Sequence, residues 1–420
     1  MKRLIYLLLL TALLVTAPAA AQEEVDPCAN AANQVQTLLV LAQDYIANGD
    51  NTTADALVAG ARALANRCFS DTAAAPASTV QMLEFGQGFG ASKGFWQVYF
   101  TAPSGSTDRR TYTGGVDTAI VDAINNVEST LDIAAFEWNN PALTNAVIEA
   151  HERGVQVRMV VDDEHTLEDE DSTIEDILDE DIPVRDDSRG GLMHNKFMIM
   201  DSQTVVMGSM NFTVNGTYRN NNNVLVLTAP EAVQAYQTEF NEMFERGQFG
   251  SSRSAVNSVS FEQDGTPITV LFAPEDRVVP TMLDVLRSAD AHIRFMTFSF
   301  TLDEVGQLLL DLSATGVEVE GVFETRGSRV SFSELPLLFC AGLNVREDGN
   351  PFTFHHKVFI VDDHTVLTGS FNISDSATNS NDENMVIIQD RDLAAQYIAE
   401  FERVFAQGNV PPRDAITCPR

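Results

Sequence analysis

Basic residues are scarce in this 420-residue chain: 26 lysines and arginines stand against 60 aspartates and glutamates, for a net charge of −34. They form no run anywhere. So acidic a chain is a poor nonspecific binder of polyanions, which argues against tight, sequence-independent association with nucleic acid but leaves room for a local basic pocket. Cysteine is sparse as well, with four residues and no C-x-x-C spacing, so no metal site is expected. Apolar runs are short. The longest, Leu4 to Val15, falls below the ~20 residues a membrane-crossing helix needs. The acidic stretch between Asp162 and Asp187 lacks the ordered ligand spacing of a calcium-binding loop and reads as a solvated loop or helix.

What is present begins with a leader. Lys2 and Arg3 precede the apolar run, and Ala17-Pro18-Ala19-Ala20-Ala21 follows it as a small-residue cleavage site. Residues 1–21 are therefore expected to be a signal peptide, and the mature chain to be secreted or periplasmic. In that setting Cys28, Cys68, Cys340 and Cys418 are expected to pair. Of three possible pairings, sequence proximity favours Cys28–Cys68 and Cys340–Cys418. Residues 22–70 carry apolar positions at helical spacing around an Asn48-Gly49-Asp50-Asn51 turn and suggest a helical hairpin. Residues 71–94, rich in Ala, Ser, Thr and Gly, read as a linker.

The remainder is an internal repeat. Asp132–Trp138 matches Arg294–Phe300, each a strand preceded by an amphipathic helix (Thr118–Val127 and Met282–Ala289). Val184–Asp187 matches Val345–Asp348, and the offset holds at 161 or 162 residues throughout. Alternating strands and helices at this spacing indicate an α/β fold with a largely buried sheet in each copy. Two lobes, roughly 95–250 and 262–410, are expected to pack as a pseudo-dimer within a monomer.

The chemistry lies in one pattern that occurs twice. Residues 194–201 read His-Asn-Lys-Phe-Met-Ile-Met-Asp and residues 355–362 read His-His-Lys-Val-Phe-Ile-Val-Asp. Each is a β-prone run in which the histidine and lysine, two apart, share a face. The motif residues are thus His194, Lys196 and Asp201, and His355, Lys357 and Asp362. Each aspartate falls at odd separation, at the strand's end, where it is expected to order the following turn. A second strand then ends in Gly-Ser-x-Asn, giving Ser209 and Asn211 in the first copy and Ser370 and Asn372 in the second. Fourteen residues beyond each glycine stand Asn222 and Glu383. Together these groups suffice for phosphodiester cleavage. One neutral histidine attacks phosphorus, and the other donates a proton to the leaving oxygen and then activates water or an alcohol. The lysines, asparagines and serine hydroxyls hold the equatorial charge, so no metal or other cofactor is required. Glu383 is expected to accept the Nδ1 proton of His355, and Asn222 that of His194. His356, His165 and the other histidines are expected to be structural or exposed. Arg326 and Arg219 are candidate phosphate or head-group contacts, equally readable as surface ion pairs.

The doubled HxKxxxxD-(x)6-GSxN pattern resembles the phospholipase D superfamily, over residues ~95 to 410. The resemblance implies a two-lobed α/β fold, with both His–Lys pairs meeting between the lobes, and a covalent phosphohistidine. It points to His194 as the nucleophile. Asn222 departs from the family's acidic residue, whereas Glu383 keeps it. On this reading the chain releases head groups from phospholipid, with peripheral contact at a membrane. The alternatives are an extracellular, metal-independent nuclease, because the second motif's tail is similar to small bacterial nucleases of the superfamily, and a noncatalytic phosphate-binding module.

Overall fold

The computed structural model describes residues 79–250 and 257–418. The leader, the expected hairpin at 22–70 and the Cys28–Cys68 pairing lie outside those residues.

Each copy of the repeat forms one mixed sheet. The first lobe has β1 (Gln81–Phe85), β2 (Gly88–Lys93), β3 (Trp96–Thr101), β4 (Thr130–Ala135), β5 (Gln156–Val161), β6 (Val184–Asp186), β7 (Lys196–Met200), β8 (Thr204–Gly208) and β9 (Asn223–Leu227). Their spatial order is β1-β2-β3-β9-β8-β7-β4-β5-β6. The second lobe has β10 (Val259–Gln263), β11 (Thr266–Ala273), β12 (His292–Thr297), β13 (Glu318–Phe323), β14 (Asn344–Glu347), β15 (Lys357–Val361), β16 (Thr365–Gly369) and β17 (Glu383–Gln389). Their order, β10-β11-β17-β16-β15-β12-β13-β14, repeats the first from β2 onward. In both, the helix-connected strands pair in parallel and the hairpins antiparallel.

The stretch expected to be a linker is in part sheet: β1 and β2 add a hairpin to the first lobe's edge. Its small residues answer to close packing rather than to flexibility. A Cβ on Gly90 would lie 2.4 Å from the carbonyl oxygen of Val98 on β3. The second lobe also outruns its expected bounds. It begins at β10, and the chain beyond residue 410 stays on it, with Ile416 in its core and Cys340 bridged to Cys418. Two expected helices start earlier, at Val116 and Val278. Pro280 is accommodated in the first turn of the second, where its missing N–H leaves no gap.

The sheets are apolar on both faces, as the unbroken hydrophobic runs require. Along β7, Phe197 and Ile199 face one core, while Met198 and Met200 face another. β15 repeats this with Val358 and Ile360 against Phe359 and Val361. The outer cores belong to one lobe each. The central core is shared: the helices Pro230–Arg246 and Arg391–Gln407 fill it with Tyr236, Phe240 and Met243 from one lobe and Tyr397, Phe401 and Val404 from the other. This shared core holds both motif strands in one body.

Cys340→Ser or Cys418→Ser should reopen a loop of 78 residues in the unfolded state. Either is expected to cost about 2–4 kcal/mol of stability in denaturant unfolding, with secondary structure retained.

Candidate active site

β7 and β15 begin at the motif lysines, so each histidine sits two residues ahead, just outside its own sheet. There the backbone is claimed by the opposite lobe. The N–H of His194 donates to the carbonyl of Asp382 (3.0 Å), and the N–H of Asp382 to Leu192 (2.8 Å). Reciprocally, His355 donates to Asn221 (2.9 Å) and Asn221 to Thr353 (3.0 Å). These bridges carry each histidine to the start of the other lobe's last strand.

The pairing expected within each repeat is thereby overturned. His194 Nδ1 lies 2.7 Å from Glu383 Oε2, and His355 Nδ1 lies 3.0 Å from Asn222 Oδ1. Asn222 donates its amide to the carbonyl of Gly216 (2.9 Å), so its oxygen faces His355 and can only accept. The network therefore places the proton of His355 on Nδ1 and leaves Nε2 with the lone pair. Glu383 Oε2, which also accepts the Ser370 hydroxyl, imposes the same tautomer on His194, with an ionisable carboxyl in place of a dipole.

The serines act one step back from the substrate position. Ser370 Oγ donates to Glu383 Oε2 (2.6 Å) and Ser209 Oγ to Asn222 Oδ1 (2.9 Å). Each hydroxyl also accepts the next residue's N–H, from Asn384 (3.0 Å) or Asn223 (3.1 Å). Both are fully buried, so their expected role as phosphate donors gives way to one of fixing the groups that fix the histidines. The glycines before them permit this approach: a Cβ on Gly208 or Gly369 would stand 2.3 or 2.2 Å from the carbonyl of Asn223 or Asn384. Asn211 gives its amide to Glu137 (2.7 Å). The carbonyl oxygens of Asn211 and Asn372 are buried without a partner among the described residues.

The lysines are almost wholly buried. Lys196 Nζ donates to the carbonyl of His194 (2.5 Å) and Lys357 Nζ to that of His355 (3.0 Å). Each ammonium lies over an aromatic ring, Phe136 at 4.6 Å and Phe298 at 4.9 Å. The same rings meet His194 and His355 edge-on at 4.5 and 4.8 Å. The two phenylalanines occupy matching places in the repeat, where β4 and β12 have just ended. That match was the signal in the sequence, but an apolar residue among apolar residues reads first as core.

Burial dominates the electrostatics. It lowers both histidines well below the usual imidazole range, and the two lysines depress them further. Lys196 is brought down to about 7 and Lys357 is strongly lowered, chiefly by desolvation. Glu383 is pushed up to about 8 by its own burial, against the pull of both lysines. A bound anion would reverse the shift of each of these basic groups.

Asp201 and Asp362 take no part in it. Asp201 accepts the N–H groups of Glu128, Ser129 and Thr130 (2.7–3.0 Å) and the Ser129 hydroxyl. Asp362 accepts those of Asp290, Ala291 and His292 (2.8–2.9 Å). Each seals the turn before the neighbouring strand and lies at the far end of the motif strand from its histidine. His356 and Asn195, the middle residues of the two motifs, face the shared core by strand alternation. There Asn384 donates to Asn195 (2.7 Å), and His356 meets Glu400 (2.9 Å) and Asn223 (3.3 Å). Arg326 bonds the carbonyl of Pro351 (2.9 Å), and Arg219 bonds the Tyr112 hydroxyl (2.6 Å) and stacks on Phe352.

Not all of the acidic stretch is solvated, since Asp162 and Asp187 are buried. With Asp163 they form the one carboxylate trio of metal-binding spacing among the described residues. Most of their oxygens are engaged, although Asp187 Oδ2 is buried without a hydrogen-bond partner among the described residues. Asp162 accepts the N–H groups of Met193 (3.0 Å) and His165 (2.9 Å), and Asp187 accepts that of Asp163 (3.2 Å) and faces Arg189. They act as clamps, and Glu324 holds the N–H of Phe354 in the same way in the second lobe.

Residues 120–244 and 282–405 each match the family model described as cardiolipin synthase, PLD-like domain. A mitochondrial cardiolipin hydrolase from Xenopus tropicalis is 34% identical over 118 residues, 28% of this chain and 56% of the relative. The chain thus spans little more than half the length of that protein. A phospholipase D from Rickettsia prowazekii is 31% identical over 163 residues, 39% of this chain and 80% of the relative. Among solved structures, phosphatidylserine synthase from Haemophilus influenzae shares the fold. Its TM-score is 0.55 at 16% identity, covering 70% of this chain and 85% of the other.

In full-length protein carrying 15N-histidine, Asn222→Ala is expected to abolish the protected Nδ1–H resonance of His355, and Glu383→Ala that of His194. The opposite assignment would contradict the crossed pairing.

Proposed function

The chain belongs to the phospholipase D superfamily, and from that premise we propose that it is an exported phosphodiesterase that acts through a covalent phosphohistidine and releases head groups from phospholipids. The observation that carries the chemistry is the pair of buried imidazoles, each held at Nδ1 by the other lobe and each beside a buried lysine.

His194 is the nucleophile. Its Nε2 bonds to phosphorus as the bond from phosphorus to the leaving oxygen breaks, and His355, as imidazolium, passes its Nε2 proton to that oxygen. Phosphorylation makes the His194 ring positive, and the charge draws Glu383, at 2.7 Å, to its carboxylate form. Asn222 offers His355 only a dipole, which suits a group that must give up its proton in one step and recover it in the next. Water then loses a proton to His355 Nε2, attacks phosphorus and releases His194. An alcohol in place of water would yield a transferred diester. Lys196 and Lys357 carry the charge on the non-bridging oxygens in a site shielded from water, where fixed charges act most strongly.

Several observations support lipid as the substrate. The relatives named above are called cardiolipin hydrolase and phospholipase D. The net charge of −34 disfavours a polyanion and suits a zwitterionic surface. Export is supported by the leader-like N-terminus and by the Cys340–Cys418 bridge, a pairing typical of oxidising compartments. Both motifs lie on one chain, so a monomer completes the site.

Purified full-length protein should release head group from phosphatidylcholine vesicles with EDTA present. His194→Ala and His355→Ala should each reduce the rate by at least about a thousandfold, the scale on which removing a catalytic base or nucleophile acts. Cleavage of single- or double-stranded DNA alone, lost in the same variants, would contradict the lipid assignment and establish a nuclease. Activity on neither would favour a binding module.

Anion binding should also be proton-linked. Lys196 is held at about 7, and both histidines and Lys357 are held low, in the free site. A bound anion raises all of them and so takes up protons. Affinity for a phosphonate monoester, which stays a monoanion, should therefore rise as the pH falls from about 8 to about 6. Calorimetric titration would show this, and a flat or inverted profile would contradict it.

A further inference from the structure

His165 belongs to neither motif, and the sequence placed it among structural or exposed histidines. The chain there makes a single π-type turn, with the N–H of Glu168 donating to the carbonyl of Asp163 (3.0 Å). Such turns are rare and recur at functional positions. This one brings His165 Nδ1 to 2.8 Å from Asp162 Oδ1, the oxygen that also accepts the residue's backbone N–H. The other oxygen of Asp162 holds the N–H of Met193, immediately before His194 (3.0 Å). One buried carboxylate thus fixes both the imidazole of His165 and the approach to the first motif.

The ring of His165 lies against Phe136, with centroids 4.5 Å apart, and Phe136 meets His194 at 4.5 Å. The two imidazoles are therefore no more than 9 Å apart, with one aromatic ring bridging them. Lys196 stands over that ring at 4.6 Å. Roughly two fifths of the His165 side chain remains exposed. The second lobe repeats the aromatic ring and the carboxylate clamp but neither the π-type turn nor the imidazole. Phe298 flanks His355, and Glu324 holds Phe354, but at the offset of 162 residues the place of His165 is taken by Gly327.

We propose that His165 is a positioning residue for His194: it braces Phe136 against the His194–Lys196 pair and sets a second imidazole beside His194, a neighbour that the second lobe does not give His355. This rests on the reading of His194 as nucleophile. The groups facing His194 are Lys196 on β7, His355 and Lys357 at β15, Glu383 on β17 and His165 on the π-type turn. The lysines and His165 disfavour a proton on His194. Removing His165 therefore lets His194 take up a proton at higher pH. The shift should be roughly 0.3–1 pH unit for a charge about 9 Å away, depending on local screening.

The test uses the full chain with His165→Ala and His165→Phe. First, 13C-histidine NMR of the unliganded protein follows the titration of His194. Both variants should raise its midpoint, whereas an unchanged midpoint in both would overturn the proposal whether or not the protein is active. Second, kcat and KM on bis(4-nitrophenyl) phosphate are followed against pH. His165→Ala should lower kcat about tenfold with KM nearly constant, as loss of an orienting group does. His165→Phe should restore kcat at neutral pH by restoring the brace, while both variants carry the acid limb upward. Equal loss in both variants with an unmoved acid limb would reduce His165 to a loop stabiliser and overturn the proposal. A wild-type chain that turns over no diester, yet shows the His194 shift, would count against the phosphodiesterase reading and not against the coupling.

Discussion

The hydrogen bonds from His194 to Asp382 and from His355 to Asn221 join two chain segments that each belong to the other's lobe. They pin each motif histidine outside its own sheet, at the start of the partner's last strand. From that constraint follow the crossing of Nδ1 contacts to Glu383 and Asn222, the seating of Ser370 and Ser209 behind those acceptors, and the meeting of two lysines in one enclosure. Neither lobe holds a complete set. A histidine without the opposite strand would lose its tautomer and its aim together. The shared core between the sheets, with Tyr236 and Tyr397 donating to or accepting from the asparagines beside the motif, makes the docking as specific as packing within a lobe.

Two buried lysines and two buried histidines in one small volume are costly to assemble, because each loses its hydration. The fold answers with carbonyl acceptors for both ammonium groups, two phenylalanine faces and the carboxyl groups of Glu383 and Glu137, which act on both lysines. A bound phosphodiester would place negative charge beside all four basic groups. Such an anion would raise the histidines and lysines, now lowered chiefly by burial, towards their ordinary values.

Much of this was legible in the sequence, for reasons that can be named. The repeat at 161–162 residues and the doubled motif gave the two lobes and the six motif residues, since strand alternation ties a histidine to the lysine two places on. The crossing of partners was not legible: position 383 follows 355 in the same copy, and no local rule says that a strand opens beside the other lobe's histidine. Phe136 and Phe298 were hidden by their apolar surroundings. The hairpin at 81–93 was hidden by its glycine and alanine content, which reads as slack chain until Gly90 is seen against Val98. Asp162 was hidden within an acidic run whose exposed members make the whole look solvated.

The two copies match in backbone but differ where chemistry demands a difference. Glu383 backs His194 with an ionisable carboxyl and Asn222 backs His355 with an amide, while His165 has no counterpart across the pseudo-symmetry. A site of two equal histidines is thereby given a direction. The central claim is that His194, oriented by the opposite lobe's carboxylate, forms the covalent bond to phosphorus. The most direct measurement is alkaline quenching of the His355→Asn variant during turnover of a diester with a good leaving group, followed by peptide mass spectrometry. A phosphoryl adduct on the peptide containing His194, absent from His194→Ala, is the result this account predicts. An adduct on the His355 peptide of the His194→Ala chain, with none at His194 in the His355→Asn variant, would contradict it.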